Sequence, residues 1–409
     1  MNRVAITGVG IISCLGTEKQ AVARKLYLGE SAIEVDTERV ALGFRSPLTT
    51  SIPGFDATRY LSRKARKTMT AFAVQAYAAA ADAIRDAGLA EEDIQNERTG
   101  LIFGCDSSCL AAIEQVDLVR QHKTTSAIGS GHVFCSMTSN VTMNLNSLLK
   151  TRGACWTLSA ACSSGGHAIG QAADLIRLGR QDRVICGGAQ ELNWQSMCSF
   201  DALEAFSMRV SAPHKACRPF DANRDGLVPS GGAAALMLER YDLAQKRQIP
   251  ILGEVLGYGF SSDGANVSTP SDGGLLQAMT SAMQEAHLSI GDVDYVCAHA
   301  TGTPVGDAVE ARGIYGLFGD SCRPAVSSLK GMVGHELWMA GAAQVVYCVL
   351  MASNGFTAAN VNFEQPDDYS KKLLILADRL EKPPRTILCN SAGFGGTNSC
   401  LAVRLQPKD

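Results

Sequence analysis

Short apolar runs rich in valine and isoleucine alternate along this chain with longer helical patterns. The strand-like runs are RVAITGV, TGLIFG, DRVICGG, DYVCAHA and RTILCNS. The helical patterns are AFAVQAYAAAADAIRDAGL, AADLIRLG, LLQAMTSAMQEAHLS and GAAQVVYCVLMAS. Runs of this length and composition, separated by helices, are typical of strands that are covered on both faces. The pattern therefore predicts an α/β fold with largely buried sheets.

Two strand–turn–helix–strand segments resemble each other. The first contains CWTLSAACSSGGHAIGQAADLIRL and then DRVICGGAQEL; the second contains RPAVSSLKGMVGHELWMAGAAQVVYCVLM and later RTILCNSAGFGG. Each turns through serine and glycine into a helix that carries a reactive residue near its start, Cys162 in one and His335 in the other. We predict an internal duplication with halves of roughly residues 1–250 and 251–409. Chance similarity between two βα units is the alternative.

Composition excludes several classes of protein. The chain has 409 residues, of which 46% are hydrophobic and 19% charged, as in well-packed globular proteins. A net charge of -3 gives no indication of nucleic-acid binding. The N-terminus does not resemble a signal peptide, and no apolar run is long enough to span a bilayer. We expect a cytoplasmic protein without a membrane span.

The fourteen cysteines are scattered and show no CxxC spacing. Cys186, Cys297, Cys348 and Cys389 lie within apolar runs, where we expect them to be small buried hydrophobic residues. Such usage is typical of a reducing compartment. No ligand spacing indicates a metal site.

Cys162 stands apart because it directly precedes an amphipathic helical pattern. The apolar face of that helix follows the i, i+3, i+4, i+7 spacing, formed by Ile169, Ala172, Ala173 and Ile176. A thiol at a helix N-terminus meets free N–H groups and the positive end of the helix dipole. We expect a lowered thiol pKa and a nucleophilic thiolate. A packed, inert thiol is the alternative.

Two histidines lie in comparable positions. His299 follows the strand run DYVCA and opens a loop at the edge where α/β folds place their chemistry. Taken alone, its position favours a satisfied structural histidine. Lys330 and His335 flank a glycine-containing turn before a helix that is apolar almost all round, and packing alone does not explain them. The Lys330 cation would keep His335 neutral. A neutral imidazole suits a hydrogen-bond donor to a developing oxyanion.

Glycine-rich segments supply backbone donors rather than cofactor sites. CNSAGFGGTNSC can bring N–H groups close to a substrate but lacks the Lys-Ser/Thr ending of a phosphate loop. GVGIIS lacks the third glycine and the later acidic residue of a dinucleotide fingerprint. A Cys-His hydrolase needs only one imidazole, so a thiol with two imidazoles fits a reaction that must also stabilise an enolate.

Several ordered motifs together resemble one family over nearly the whole chain. They are VAITGVGIIS, SAACSSGGHAIG, RPFDANRDGLV, HATGTPVGDAVEA, SSLKGMVGH and NSAGFGGTN. The chain resembles the β-ketoacyl-acyl-carrier-protein synthases of the elongating, Cys-His-His type, members of the thiolase-like superfamily. The resemblance implies a five-layered αβαβα fold built from two duplicated halves. It also implies a homodimer, with a heterodimer of two ketosynthase-like subunits as the alternative.

The resemblance implies a decarboxylative Claisen condensation that yields a 3-ketoacyl-acyl-carrier protein and CO₂. Cys162 corresponds to the acyl-accepting nucleophile. The N–H groups of Cys162 and Phe394 correspond to the oxyanion hole, and the Phe394 ring to a gate. His299 and His335 correspond to the pair that promotes decarboxylation of the malonyl extender.

Other residues match supporting positions of the family. Lys330 and Glu310 match residues that organise the histidines, and Gly395 belongs to the same glycine-rich motif as the gate. Thr301 and Thr303 match hydroxyls that bind the phosphopantetheine arm of the acyl carrier protein. No permanently bound cofactor is implied, since that arm carries the substrate.

The carrier protein of this family is acidic, so a basic rim is expected around the site. Candidates for the rim are Arg63, Lys64, Arg66, Lys67, Arg120, Lys123 and Arg209. For any one of these residues, a solvated helix face is the alternative. No nucleic-acid partner is expected.

Three departures from the family pattern affect the acyl pocket. HATGT replaces the common HGTST, Ala392 replaces a bulky ring beside the gate, and Ser107 lies where an apolar side chain is common. These changes suggest an altered pocket and leave polyketide or polyene synthesis open beside fatty-acid synthesis. A non-catalytic chain-length subunit is the alternative, but it would lack the nucleophile. A thiolase or starter-type synthase is disfavoured because HELW follows the SSLK turn.

Overall fold

The computed structural model describes residues 1–407, which form thirteen strands and fourteen α-helices. The strands are β1 (Val4–Ile12), β2 (Ile33–Val35), β3 (Leu48–Thr50), β4 (Thr99–Gly104), β5 (Cys155–Leu158), β6 (Arg183–Gln190), β7 (Gly232–Arg240), β8 (Gly253–Ser262), β9 (Tyr295–Cys297), β10 (Ala325–Ser327), β11 (Leu374–Ile375), β12 (Thr386–Gly393) and β13 (Thr397–Leu405).

The α-helices differ widely in length, and short 3₁₀ turns lie between them. The helices are α1 (Lys19–Leu28), α2 (Thr37–Ala41), α3 (Ala71–Asp86), α4 (Glu91–Ile94), α5 (Cys109–His122), α6 (His132–Cys135), α7 (Asn140–Leu149), α8 (Ser164–Arg177), α9 (Cys198–Ala202), α10 (Tyr241–Lys246), α11 (Gly274–Glu285), α12 (Pro304–Phe318), α13 (Lys330–Val333) and α14 (Ala340–Ser353). Among residues 1–407, no helix is both long and apolar enough to cross a membrane.

One sheet of eleven strands contains the same pattern twice. Its order is β11-β10-β9-β12-β13-β8-β1-β7-β6-β4-β5. In the first half, β1 pairs antiparallel with β7, β7 antiparallel with β6, and β6, β4 and β5 run parallel. In the second half, β8 pairs antiparallel with β13, β13 antiparallel with β12, and β12, β9 and β10 run parallel. The predicted duplication is therefore confirmed at the level of topology.

The GVG motif of β1 has a packing role, in agreement with its exclusion as a dinucleotide fingerprint. A methyl group on Gly8 or Gly10 would overlap backbone carbonyls of α3 at Ala83 or Ala79. In the second half, Gly257 of β8 would overlap the Ala282 carbonyl of α11 in the same way. Each half thus brings its first strand and its outer helix into close backbone contact, which only glycine allows.

Five layers result from this packing. Helix α3 covers the outer face of the first half-sheet, and α11 covers the outer face of the second. Helices α8 and α14 pack against each other between the two half-sheets. Every residue of α14 from Ala340 to Ala352 is buried, as its uniformly apolar sequence predicts. The predicted α/β fold with buried sheets is confirmed.

The two halves are joined directly at the centre of the sheet. Val4 to Ile6 of β1 pair antiparallel with β8, which makes the eleven strands continuous. The division at residue 250 remains a prediction. Strand β9 is shorter than the run DYVCAHA, because the chain leaves the sheet before His299 and opens a loop there, as expected.

Candidate active site

Cys162 lies on a 3₁₀ turn, Ala161–Ser163, that leads directly into α8. Ala161 adopts a left-handed conformation with φ 47°, which is strained for a residue other than glycine and must be held by its surroundings. The Ser164 hydroxyl accepts from the Ala160 N–H at 2.8 Å and donates to the Ala161 carbonyl at 2.6 Å. The Ser163 hydroxyl donates to the Thr397 carbonyl at 2.7 Å, so strand β13 of the other half holds the turn in place.

The Cys162 thiol is protonated in this environment, and the expectation of a lowered pKa is wrong. Burial raises the pKa of the Cys162 thiol to about 12. The charge of Lys330 opposes this increase, as do hydrogen bonds from the N–H groups of Cys162 and Phe394. The helix start is enclosed by protein, and loss of hydration outweighs the effect of the helix N-terminus. The site therefore holds a thiol that must lose its proton during the reaction.

Helix α12 holds the His299 loop through Glu310. Its two carboxylate oxygens accept from the N–H groups of His299 at 2.9 Å and Ala300 at 2.6 Å. The Asn390 amide also donates to this carboxylate at 3.0 Å. Burial raises the pKa of Glu310 to about 7, against these hydrogen bonds. Glu310 acts on the backbone of the loop and so fixes where the His299 side chain begins.

Asp307, one turn earlier on α12, holds the next part of the same loop. Its carboxylate accepts from the N–H groups of Thr301 at 2.9 Å and Gly302 at 3.1 Å. The hydroxyl oxygens of Thr301 and Thr303 then lie 3.1 Å apart. Sequence reasoning missed Asp307, although its spacing of three residues from Glu310 places both carboxylates on one face of the helix.

His335 faces His299 across the site. Its backbone N–H donates to the Val228 carbonyl at 2.7 Å, and its backbone carbonyl accepts from the Ser230 N–H at 2.9 Å. The two imidazole rings are 5.1 Å apart between centroids and lie at 84° to each other. Burial lowers the pKa of both histidines well below the usual range, and Lys330 lowers both further. The expectation of a neutral His335 is supported, and it extends to His299.

Lys330 is a buried lysine whose charge acts on both histidines. Its side-chain nitrogen lies 3.4 Å from the Gln344 oxygen, and only 3% of the residue is exposed. Burial lowers the pKa of Lys330, whereas neighbouring groups that include Glu310 and Glu336 raise it. Burial raises the pKa of Glu336 to about 8, and the Tyr347 hydroxyl donates to that carboxyl at 2.7 Å. The charge of Lys330 thus acts on a site with little water to screen it.

A cavity of about 400 Å³ connects these groups to the surface. The predicted site residues that line it are Cys162, His299, Thr301, Thr303, Glu310, His335, Ala392 and Phe394. Lys330, Gly395 and Ser107 are outside its lining. Most of the predicted constellation therefore meets at one opening, although its members come from both halves of the chain.

Phe394 lies at the mouth of the cavity and is 37% exposed. Its ring stacks on Phe200 with centroids 5.9 Å apart and planes at 16°. Gly395 has φ 77°, a conformation that favours glycine, and its N–H donates to the Val267 carbonyl at 2.7 Å. The turn can therefore place the Phe394 N–H toward the thiol while the ring remains at the opening. Phe200 was not predicted, and no motif singles it out.

The predicted acyl-pocket residues have different surroundings. Ala392 lines the cavity. The Ser107 hydroxyl instead donates to Glu191 at 3.1 Å and accepts from the indole N–H of Trp338 at 3.2 Å. Sequence reasoning missed Trp338 because it treated HELW as a continuation of the histidine motif.

The candidate rim residues are mostly on the surface. Arg63, Lys64 and Lys67 are exposed around the 3₁₀ turn Ala65–Thr68, where Arg66 is half-buried. Arg120 and Lys123 are exposed at the end of α5. Arg209 forms an ion pair of 3.6 Å with Asp225, which lines the cavity. Among the seven candidates, Arg209 is therefore the residue whose ion pair reaches the cavity lining.

Comparisons with known proteins agree with this geometry. The family model for the Beta-ketoacyl synthase, N-terminal domain matches residues 1–244, and that for the C-terminal domain matches residues 252–364. The chain is 40% identical over 407 residues to 3-oxoacyl-(acyl-carrier-protein) synthase 1 of Haemophilus influenzae, which covers 99% of each chain.

Solved structures show the same similarity. A beta-ketoacyl synthase from Burkholderia phymatum has a TM-score of 0.94 and 31% identity, covering 99% of this chain and 100% of its own. A type II PKS acyl-carrier protein in complex with its ketosynthase has a TM-score of 0.88 and 25% identity, with 99% of both chains covered. The chain belongs to the β-ketoacyl synthase family of condensing acyltransferases, and its fold is the thiolase-like fold of that family.

Proposed function

We propose that this protein is an elongating β-ketoacyl-acyl-carrier-protein synthase. It joins a Cys162-bound acyl group to a malonyl unit on acyl carrier protein and releases CO₂. The observation that carries this proposal is one cavity that contains a thiol and two neutral imidazoles, whose centroids are 5.1 Å apart. The relatives named 3-oxoacyl-(acyl-carrier-protein) synthase support the same reaction.

The first step is transfer of the acyl group to Cys162. A bond forms between Sγ and the acyl carbon, the bond to the carrier sulfur breaks, and the thiol proton passes to the departing carrier thiolate. The N–H groups of Cys162 and Phe394, which hydrogen-bond toward the sulfur, are placed to stabilise the oxyanion. A neutral imidazole in the same cavity can relay the proton because its pKa is depressed.

The second step is decarboxylation of malonyl-carrier protein. The bond to the carboxylate breaks, CO₂ leaves, and the electron pair forms an enolate on the thioester oxygen. Neutral N–H groups of His299 and His335 donate to that oxygen in a buried site, where such donors act strongly. The enolate carbon then forms a bond to the acyl carbon while the bond to Sγ breaks, and the released Cys162 thiolate takes up a proton from water. Burial, and after it the charge of Lys330, holds both imidazoles in the neutral form that donates without a fixed charge.

We propose acyl carrier protein as the partner that delivers both substrates. The Thr301 and Thr303 hydroxyls line the cavity and can bind the amides of a phosphopantetheine arm. A type II PKS acyl-carrier protein is seen in complex with a ketosynthase of the same fold. The rim formed by Arg63, Lys64, Arg66, Lys67, Arg120, Lys123 and Arg209 is proposed as the docking surface. Arg209 is the best supported of these, since its partner Asp225 lines the cavity.

A homodimer is supported by the sheet edge at β5, one of the two ends of the eleven-stranded sheet. Strand β5 ends the sheet, and its Trp156 is 40% exposed. An open edge with exposed apolar side chains favours pairing with a second strand. Further exposed apolar residues come from the same part of the chain, namely Ile113, Val116, Val133, Phe134 and Met137. Replacing Trp156 with aspartate is expected to convert the dimer to a monomer in sedimentation velocity.

The non-catalytic chain-length subunit is less well supported than the enzyme. Such a subunit would lack the nucleophile, whereas Cys162 lines the cavity here. The curated relatives that match this chain are named 3-oxoacyl-acyl-carrier-protein synthases, and the match covers 99% of each of them.

All fourteen cysteines are free, which supports the proposed reducing, cytoplasmic location. We also retain residues 1–250 and 251–409 as the proposed halves.

The test is incubation of the full-length protein with acyl- and malonyl-carrier protein, followed by CO₂ release and peptide mass. An acyl adduct on Cys162 and a 3-ketoacyl product are expected. Cys322→Ser is the matched control, because this thiol lies outside the cavity lining and its loss should leave the adduct in place. An adduct on another residue, or product formed without any adduct, would contradict the proposed mechanism.

A further inference from the structure

Trp338 packs beside the nucleophile in an apolar cluster. It lies on the 3₁₀ turn Leu337–Met339 and is 6% exposed. The cluster around Cys162 also contains Met197, Phe206, Leu227 and Leu337, with Phe44, Ala161, Phe200 and Ala205 at its edge. The indole and the Cys162 side chain therefore belong to the same apolar cluster.

The cavity borders this cluster on one side and the loop that begins at His299 on the other. Cluster members that line the cavity are Phe200, Ala205, Leu227 and Leu337, whereas Trp338, Met197 and Phe206 lie behind this lining. A carrier arm in the cavity presents its thioester carbon to Sγ, so the acyl chain beyond that carbon must extend away from the arm. In this direction it meets the apolar cluster that contains the indole.

Polar contacts hold the indole in place. Its N–H donates to the Ser107 oxygen at 3.2 Å, and the Ser107 hydroxyl donates to Glu191 at 3.1 Å. The Glu191 carboxylate is 4% exposed and also accepts from the Cys109 N–H at 2.9 Å, at the start of α5. Displacing the indole would leave its N–H, which donates to Ser107, without this partner inside the protein, which is unfavourable.

The backbone of Trp338 is equally restricted. Leu337 has a left-handed φ of 45°, which fixes the direction of the turn. A methyl group on Gly188 would lie 3.0 Å from the Trp338 carbonyl oxygen, and one on Gly165 would lie 3.1 Å from it. The turn therefore packs tightly against β6 and α8, and the indole has no room to move together with its backbone.

We infer that Trp338, anchored by Ser107 and Glu191, closes the acyl channel of this enzyme and restricts it to short acyl groups. The inference rests on the proposed function and specifies its substrate class. Acetyl and butyryl groups end before the indole, whereas an octanoyl or dodecanoyl chain overlaps it. The altered pocket expected from Ser107 thus arises because this hydroxyl positions an aromatic ring.

The experiment measures acylation of the full-length enzyme by acetyl-, butyryl-, octanoyl- and dodecanoyl-carrier protein. For the wild type, kcat/KM is expected to fall by about 100-fold or more from butyryl to dodecanoyl, since even one excess methylene in a closed pocket can cost about tenfold or more. Trp338→Ala is expected to raise the dodecanoyl-to-butyryl ratio by about tenfold or more. Trp338→Phe, which keeps most of the ring volume, should change this ratio much less.

Ser107→Ala provides a second variant if Trp338→Ala does not fold, as judged by thermal unfolding. It removes the indole anchor without a large cavity and should raise the same ratio by a smaller factor. A wild type that accepts dodecanoyl and butyryl equally would overturn the inference, as would variants with an unchanged ratio. Failure of the proposed function gives another result, namely no acyl adduct on Cys162 with any chain length.

Discussion

The nucleophile turn of the first half and its counterpart in the second half share one backbone but differ in side chain. Turns Ala161–Ser163 and Leu337–Met339 each lead into a helix of 14 residues. The first residue of each turn is left-handed, with φ 47° at Ala161 and 45° at Leu337. The second residue is Cys162 in one turn and Trp338 in the other. The duplication therefore aligns the thiol with an indole.

Each turn is also held by the opposite half. The Ser163 hydroxyl donates a hydrogen bond to the Thr397 carbonyl of strand β13. Just before the second turn, the His335 backbone N–H donates to the Val228 carbonyl of the first half. The sequence comparison paired Cys162 with His335, whereas the structure places Trp338 at the equivalent position and His335 three residues earlier. The difference teaches that the same repeated backbone presents a nucleophilic thiol at one position and a large aromatic side chain at the other.

The largest expected effect comes from removing the thiol. Cys162→Ala should abolish acylation and lower condensation by at least about 10⁴-fold, since a nucleophile has no substitute in this cavity. Trp338→Phe at the equivalent position should retain the adduct. Product formation rates and protein mass check both variants. Full condensing activity in Cys162→Ala would contradict the role assigned to the first turn.

The next effect concerns the histidine that precedes the second turn. His335→Ala removes one donor to the enolate oxygen and should lower CO₂ release from malonyl-carrier protein by about 10²–10³-fold. Acyl transfer to Cys162 should decrease far less, because its oxyanion hole is built from backbone N–H groups and the neutral imidazole of His299 remains to relay the proton. Separate assays of CO₂ release and of adduct formation test whether the substitution slows decarboxylation more than acyl transfer. An equal loss in both assays would argue that His335 acts mainly on the fold.

Alkylation by iodoacetamide tests whether the Cys162 thiol in the first turn is protonated. With a thiol pKa of about 12, the thiolate fraction and the rate should rise about tenfold per pH unit from pH 7 to pH 10, without a plateau. Lys330→Met should slow the reaction at each pH, because Lys330 lowers the pKa of that thiol. A plateau near neutral pH would instead indicate an ionised thiol.

The close contact between helices α8 and α14 predicts that a larger side chain at their interface lowers the free energy of unfolding. A methyl group on Gly341 would lie 2.5 Å from the Gly166 nitrogen. Gly341→Ala should therefore destabilise the protein by ~1–3 kcal/mol through overpacking. Gly291→Ala is the matched control, because nothing lies within 4 Å of its added methyl group. Chemical denaturation checks the pair, and equal stability of both variants would contradict the described helix contact.

The smallest expected effect concerns the left-handed residue before the nucleophile. Ala161→Gly relieves backbone strain but increases the freedom of the unfolded chain, so the stability should change by about 1 kcal/mol or less. Condensing activity should remain within a few fold. A large loss of activity with unchanged stability would show that the methyl group of Ala161 itself orients Cys162. Denaturation midpoints and initial rates provide the comparison.

Much of the fold was predictable because strand and helix periods are local properties. The runs that form β1, β4, β6 and β12 were identified, and the uniformly apolar α14 was expected to be buried. Ordered motifs located Cys162, which proved to share a cavity with its predicted partners. Asp307 and Phe200 were not found, since their roles depend on contacts with loops distant in sequence.

The sequence by itself determined the alternation of strands and helices, the duplicated order of elements and the residue types available for chemistry. Only the tertiary structure decided the state of Cys162, whose pKa burial raises rather than lowers. It also placed Trp338 opposite the duplicated nucleophile position, anchored by Ser107. The physical reason is that hydration and close packing depend on neighbours from the other half of the chain, and no local pattern of residues specifies those neighbours.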